Sequence, residues 1–308
     1  MKTNEAAQGH KTLRSVTMVP VLVAIILLIS ALPPAFTGTQ DEFFSLEPII
    51  SEIAQYFQGF SDGTSLLYET GRFDRSFLVQ APGYLLSSFF YVFWATLIGF
   101  TMSIVLGILI ELYEMHRLRR VIDILGGVPD FIMVMVLQLI VVTITVSTGY
   151  RIARIATSTA ENNAVLLPLI VMVIIPSVYL IKNVSIFTHS VLGQDYMLFA
   201  KAKGLSKWTI VRKHLAAAVV NTVDGEIAAF LGILLGNLFI IERLFQLRGI
   251  TRLLFAYGFG TSAAYGSQVG YQYQLVVNCL FSLLLLFFFL YIAVKFSLFV
   301  LRKVVCGE

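Results

Sequence analysis

The residues of this chain that could do acid–base or ion chemistry are few, and they lie at the edges of apolar segments. Six carboxylates have this position: Glu111, Asp123, Asp130, Asp224, Glu226 and Glu242. A carrier driven by protons or ions normally holds such groups near the middle of a membrane span, where a charge costs about 2.5–3.5 kcal/mol and is retained for a purpose. Their placement disfavours ion-driven transport and favours interfacial roles, such as pairing with lysine or arginine.

Catalytic and metal-binding patterns are absent from the sequence. It contains no Gly-x-x-x-x-Gly-Lys-[Ser/Thr] phosphate loop, no His-x-x-x-His pair and no Gly-x-Ser-x-Gly elbow. Cys279 and Cys306 are about 27 residues apart, roughly 40 Å along a helix, so they cannot form an intrachain disulfide. We therefore expect no enzyme activity, no cofactor and no metal site in this chain.

Composition defines the class of protein. Hydrophobic residues make up 57% of the 308 residues and charged residues only 13%, which indicates an all-α polytopic membrane protein. The net charge of +4 comes from basic residues in short loops between apolar runs. Such residues set membrane topology, so we expect the lipid membrane, and no nucleic acid, as a partner.

One polar and basic stretch, residues 183–221, interrupts the apolar pattern. Asp195 can cap a short helix with Tyr196, Phe199 and Ala200 on one face, and Gly204 can end it in a left-handed conformation. Ser206 can cap a second short helix, on which Trp208, Val211 and Leu215 would share a side. The pattern predicts two short helices joined at a glycine corner, between two membrane spans.

This stretch resembles the "EAA" cytoplasmic loop of ABC importer permeases. The resemblance rests on residues 199–205, on Ile210 and on residues 212–215, and it is most similar to the oligopeptide, dipeptide and nickel branch. It implies that the loop forms coupling helices seated in a groove of an ATP-hydrolysing subunit. The implied coupling residues are Phe199, Ala200, Lys201, Ala202, Lys203, Gly204, Leu205, Trp208 and His214.

The resemblance also implies an assembly and a fold. A second permease subunit, homologous or identical, would pair with this chain, and two ATP-binding subunits would bind ATP and Mg²⁺. An extracytoplasmic substrate-binding protein would deliver peptides or a similar small solute. Ala218 and Thr222 replace the Asn and Pro that the family often has, so the substrate class does not follow from the branch alone. The expected fold is that of a type I importer permease.

Six membrane spans organise the predicted chain. Residues 1–32 hold the cytoplasmic N-terminus and a first span at about 16–32, and residues 33–84 form an acidic extracytoplasmic lobe. Residues 85–308 form a core of five further spans, at about 85–110, 121–146, 164–181, 223–241 and 273–294. We interpret the lobe either as a docking surface for the delivery protein or as a solvated cap.

Charge counting gives the orientation. The segments assigned to the outside hold seven of the 22 lysines and arginines: Arg72, Arg75, Arg151, Arg154, Arg243, Arg248 and Arg252. The other 15 fall on the inside, which predicts that both termini are cytoplasmic.

Two other readings of the basic loop remain open. The first is a non-transporting scaffold or sensor that holds a cytoplasmic partner, and the second is a secondary carrier. For single residues, Trp208 could anchor its helix at the lipid headgroups instead of a protein groove, and His214 could be a polar residue on a solvated helix face.

Overall fold

The computed structural model describes residues 19–36, 44–71, 73–150, 152–157, 164–211, 215–260 and 270–306. These residues form two compact units. The first comprises the described residues up to Leu85 together with Ile250–Leu284, and the second comprises Leu86–Gly249 together with the described residues from Leu285. Two long helices run from one unit into the other.

Five helices are long and apolar enough to cross a membrane. They are α4 (Phe77–Leu112), α6 (Asp130–Thr148), α7 (Leu166–Leu192), α10 (Ala216–Leu244) and α12 (Tyr273–Cys306). The shortest of them, α6, has 19 residues, close to the roughly 20 that a helix needs to cross a bilayer core. The chain is therefore mostly helical and multi-pass.

The predicted sixth span corresponds to a shorter helix, α1 (Val19–Ser30), which is followed by α2 (Leu32–Ala35). As described, α1 is shorter than a bilayer core requires. The predicted span begins at residue 16, and residues 1–18 lie outside the described part of the chain. The six-span topology and the cytoplasmic termini stay predictions.

The segment between α2 and α4 is more ordered than its composition indicated. It holds α3 (Glu47–Asp62) and an antiparallel hairpin of β1 (Leu67–Glu69) and β2 (Asp74–Ser76). The hairpin is a small departure from the all-α prediction. Helix α4 follows directly at Phe77, so this span begins eight residues before the predicted start at 85.

Tyr56 of α3 is the centre of the first unit. Its hydroxyl donates to Asn278 Oδ1 at 2.7 Å, and Asn278 Nδ2 donates to the Ser65 carbonyl at 2.8 Å. Ser65 Oγ closes the ring by donating to the Tyr56 carbonyl at 2.6 Å. Burial raises the pKa of Tyr56 to about 12. These bonds fasten α3 to the start of α12, where Leu27 and Tyr273 complete an apolar cluster.

In the second unit, α7 is the helix that the others contact. It packs against α6 and α10 and against the short helix α5 (His116–Leu125). A Cβ on Gly107 of α4 would lie 2.6 Å from Val184 of α7, so glycine permits this close approach. Helix α7 also continues to Leu192, so the first ten residues of the predicted loop 183–221 are helical.

Candidate coupling surface

The two predicted short helices are present after α7. They are α8 (Asp195–Ala202) and α9 (Lys207–Ile210). Gly204 between them has a φ of +73°, the left-handed conformation that a glycine stop requires. Ser206 Oγ accepts a hydrogen bond from the Thr209 amide at 3.3 Å, which is the predicted N-terminal cap of the second helix. The predicted glycine corner is confirmed.

One side of this segment is held by the protein. Met197 and Leu215 are fully buried, Ile210 is 3% exposed and Ala200 is 5% exposed. The prediction that Ala200 shares its outer face with Tyr196 and Phe199 is therefore corrected, because the small Ala200 side chain turns inward beside Met197. The buried residues fix both short helices to the rest of the second unit.

The other side presents large apolar side chains to the surroundings. Tyr196 is 46% exposed, Phe199 61%, Leu205 37% and Trp208 71%; we call these four residues the aromatic surface. Trp208 does not share a side with the buried Leu215, contrary to the helical spacing, because α9 ends after four residues. A contiguous group of exposed apolar side chains with polar neighbours is typical of a protein-contact surface.

Positive charge accompanies the aromatic surface. Lys203 Nζ lies 4.5 Å from the centroid of the Phe199 ring, a cation–π arrangement, and Ala202, Lys203 and Gly204 are exposed. Lys201 lies within α8. The ninth predicted coupling residue, His214, lies outside the described residues, as do Arg212 and Lys213.

A buried carboxylate lies beside the last turns of α7, just before α8 begins. Glu111 of α4 is 8% exposed, and its Oε1 accepts from Ser185 Oγ at 2.5 Å and lies 3.2 Å from Arg119 Nη1. Its Oε2 lies 3.1 Å from His189 Nδ1. One carboxylate thereby joins α4, α5 and the last turns of α7, which lead into α8.

Comparison with protein-family models identifies the class to which this fold belongs. Residues 99–303 match the model described as "Binding-protein-dependent transport system inner membrane component". The chain belongs to this family. It is the membrane permease subunit of an ABC importer, and such a subunit works with a partner permease, ATPase subunits and a binding protein. No curated protein matches the chain.

The family match does not cover the whole permease. Residues 1–98 precede it, and they include α1, α3, the hairpin and the start of α4. The family consists of membrane permeases and not of enzymes. Its description as an inner-membrane component supports a bacterial inner-membrane location. Among the described residues of the permease, no three His, Cys, Asp or Glu side chains group as metal ligands do.

Two further carboxylates, predicted as possible partners for lysine and arginine, have different surroundings. Asp224 of α10 fits that prediction, since its Oδ2 lies 3.3 Å from Lys295 Nζ. Among the residues that the structure describes, no cation pairs with Glu226. Its Oε2 accepts from Tyr179 Oη at 2.8 Å and from Asn183 Nδ2 at 3.0 Å, so it cross-links α10 to α7 through neutral donors.

Glu242, at the other end of α10, was predicted only as an interfacial residue. It is fully buried and accepts from Ser88 Oγ at 2.6 Å. A Cβ on Gly249 would lie 1.8–2.2 Å from the Glu242 carboxylate atoms, so the carboxylate occupies the space that any side chain would need.

Proposed function

We propose that this permease forms half of the translocation pathway for peptides or a similar small solute, and that residues 195–215 receive the work of ATP hydrolysis. The observation that carries the proposal is the two-sided construction of that segment. Met197 and Leu215 are fully buried on one side, while Phe199 and Trp208 are 61% and 71% exposed on the other.

The aromatic surface fits a groove on a partner protein. Large aromatic side chains supply most of the contact energy in helix-in-groove binding, because they bury much area at low conformational cost. Lys203 beside Phe199 adds a positive charge for an acidic groove rim. The occupant would be one of two ATPase subunits, which bind ATP and Mg²⁺, so this chain needs no cofactor of its own.

Movement would pass from the segment to the pathway through α7. Helix α8 begins three residues after α7 ends at Leu192 and packs against it, and α7 packs along α10. Closure of the ATPases would shift α8 and tilt α7 with α10, so the cavity shared with the second permease would open alternately to each side. Buried side chains under α8 make this transmission rigid.

The remaining features complete the proposed assembly. Helix α1, extended by preceding residues, would be the sixth span, and both termini would be cytoplasmic. Helix α3 and the hairpin, within the lobe of residues 33–84, would lie outside the membrane, where an extracytoplasmic binding protein delivers the solute. The peptide assignment is supported by the resemblance to the oligopeptide branch.

Co-purification tests the proposal. Tagged permease is extracted from native membranes in mild detergent, and the ATPase that accompanies it is quantified. Phe199→Ala with Trp208→Ala should lower the apparent affinity for the ATPase by at least about 30-fold, since one buried anchor is worth about 2 kcal/mol or more.

The matched control removes two equally exposed aromatic rings from the other unit, Phe57→Ala with Phe73→Ala. This variant should retain the ATPase. The proposal fails if the ATPase stays with the Phe199/Trp208 variant, or if both variants lose it to the same extent.

A further inference from the structure

Helix α5 has three distinct sides. Leu118, Ile122 and Leu125 face the bundle, where Ile122 is 6% exposed and all three join an apolar cluster with α4 and α7. Val121 and Ile124 lie on a second side and are 50% and 63% exposed. A charged third side completes the helix. A short helix with an exposed apolar side and charged neighbours is suited to lie in the plane of a membrane interface.

The charges on α5 divide into two groups. Arg119 pairs with Glu111, and Asp123 Oδ1 lies 3.2 Å from Lys182 Nζ. Arg117 and Arg120 are exposed and make no ion pair within the part of the chain that the structure describes. These two guanidinium groups can therefore meet an external anion without first breaking a salt bridge.

The position of α5 identifies the anion. Helix α6 begins five residues after α5 ends, and its Phe131, Met135 and Leu139 are 49%, 56% and 64% exposed. Only 17% of the most apolar window of α6 is buried, the smallest share among the five candidate spans. The exposed apolar side of α5 therefore lies a few residues from the end of a largely unburied candidate span, and the headgroups of a bilayer lie at such an end.

We propose that α5 is an in-plane helix that binds the headgroup of an anionic phospholipid. Arg117 and Arg120 contact the phosphate, and Val121 and Ile124 lie among the upper acyl chains. This inference rests on the proposed function, which places α5 on the cytoplasmic side of the membrane. Anionic lipid there attracts basic residues, and long arginine side chains reach the headgroups while their stems stay among the chains.

The bound lipid would also act on the transport machinery. Arg119 holds α5 to Glu111 of α4, and Asp123 holds it to Lys182 of α7. A headgroup that fixes α5 therefore fixes the helix that leads into α8. Anionic lipid is expected to increase ATPase-coupled uptake and to leave the fold unchanged.

Lipid-specific quenching tests the contact. The full-length permease carries Cys306→Ser and Ile124→Cys labelled with an environment-sensitive fluorophore, and it is reconstituted in phosphatidylcholine vesicles. Quenching by doxyl-labelled phosphatidylglycerol is compared with quenching by doxyl-labelled phosphatidylcholine at equal mole fraction. At low salt we expect a preference of about fivefold per arginine for the anionic lipid, from about 1 kcal/mol each.

Two variants that each lose two arginines distinguish binding at α5 from an effect of the permease's net charge. Arg117→Gln with Arg120→Gln should abolish the preference for phosphatidylglycerol. Arg75→Gln with Arg154→Gln, which removes two exposed arginines elsewhere, should keep it. Equal quenching by both lipids in the labelled permease that retains Arg117 and Arg120 would overturn the proposal. A label that neither lipid quenches would also overturn it, since a protein partner would then cover α5.

Orientation is measured on the Ile124→Cys permease before the fluorophore is attached. A membrane-impermeant thiol reagent added outside right-side-out vesicles should not reach Ile124→Cys, whereas permeabilised vesicles should react. Labelling from outside would contradict the orientation in the proposed function. If the preference for phosphatidylglycerol persisted in that case, α5 would bind the anionic lipid in the outer leaflet instead of the inner one. If the thiol reacts only in permeabilised vesicles and phosphatidylglycerol quenches no better than phosphatidylcholine, the lipid site is wrong and the orientation in the proposed function stands.

Discussion

Replacing Gly204 by valine should weaken the attachment of the ATPase by straining the corner between α8 and α9. Gly204 has a φ of +73°, and apart from its two chain neighbours no described residue has an atom within 4 Å of the position that a Cβ would occupy. The cost is therefore confined to the backbone. A side chain in this conformation costs about 1–3 kcal/mol, and a β-branched residue lies at the upper end.

This strain can be converted into an affinity. Two to three kcal/mol corresponds to about 30- to 150-fold in the equilibrium between the formed and unformed corner. If the ATPase binds only the formed corner, its apparent affinity falls by up to that factor. Gly204→Asn should cost much less, because asparagine enters the left-handed region more readily than other residues.

The assay is a titration of the purified ATPase against full-length permease in lipid nanodiscs, with uptake measured in parallel vesicles. Gly63→Val is the matched control, because Gly63 has a φ of +82° with equally open surroundings but lies in the other unit. Gly193→Ala controls for side-chain size near the site, since its φ of −84° suits any residue. Unchanged ATPase affinity in Gly204→Val would refute the reasoning.

Three further substitutions test the packing that supports the coupling surface and the first unit. Met197→Ala should lower thermal stability in detergent by about 2–5 kcal/mol, because Met197 is fully buried under α8; an unchanged unfolding midpoint would contradict this. Tyr56→Phe should cost about 1–3 kcal/mol by leaving Asn278 Oδ1 without its 2.7 Å donor, whereas Tyr150→Phe, at a side chain that is 79% exposed, should be neutral. Glu111→Gln should destabilise the permease by about 1.5–3 kcal/mol, because the carboxylate loses charged hydrogen bonds while Arg119 and His189, 46% and 77% exposed, stay in contact with solvent; stability equal to wild type would contradict this.

Five of the six predicted membrane spans correspond to helices long and apolar enough to cross a membrane, because the length and apolar content of a segment decide whether it can do so. Their ends could not be predicted from the sequence. Helix α7 continues past Lys182 to Leu192, and in that extension Ser185 and His189 contact Glu111 of a different helix. Helix α4 begins at Phe77, directly after the second hairpin strand. Both ends depend on contacts between residues that are distant in the chain.

In the coupling segment, too, the features set by neighbouring residues were predictable and those set by packing were not. Gly204 and Ser206 were predictable because a left-handed stop and a helix cap depend on neighbouring residues only. The outward position of Trp208 was not, because it depends on the short length of α9 and on the burial of Ile210 against the second unit. The donors to Glu226 also escaped prediction, since Tyr179 and Asn183 lie on another helix.

Site-specific crosslinking tests the central claim most directly. A photoreactive phenylalanine analogue is introduced at Phe199 of the full-length permease in native membranes, and at the equally exposed Phe57 in a parallel sample. Irradiation should join the Phe199 position to the ATPase subunit and should give no ATPase adduct from the Phe57 position. Adducts from Phe199 to lipid alone, with the ATPase present in the same membranes, would contradict the assignment of residues 195–215 as the coupling segment.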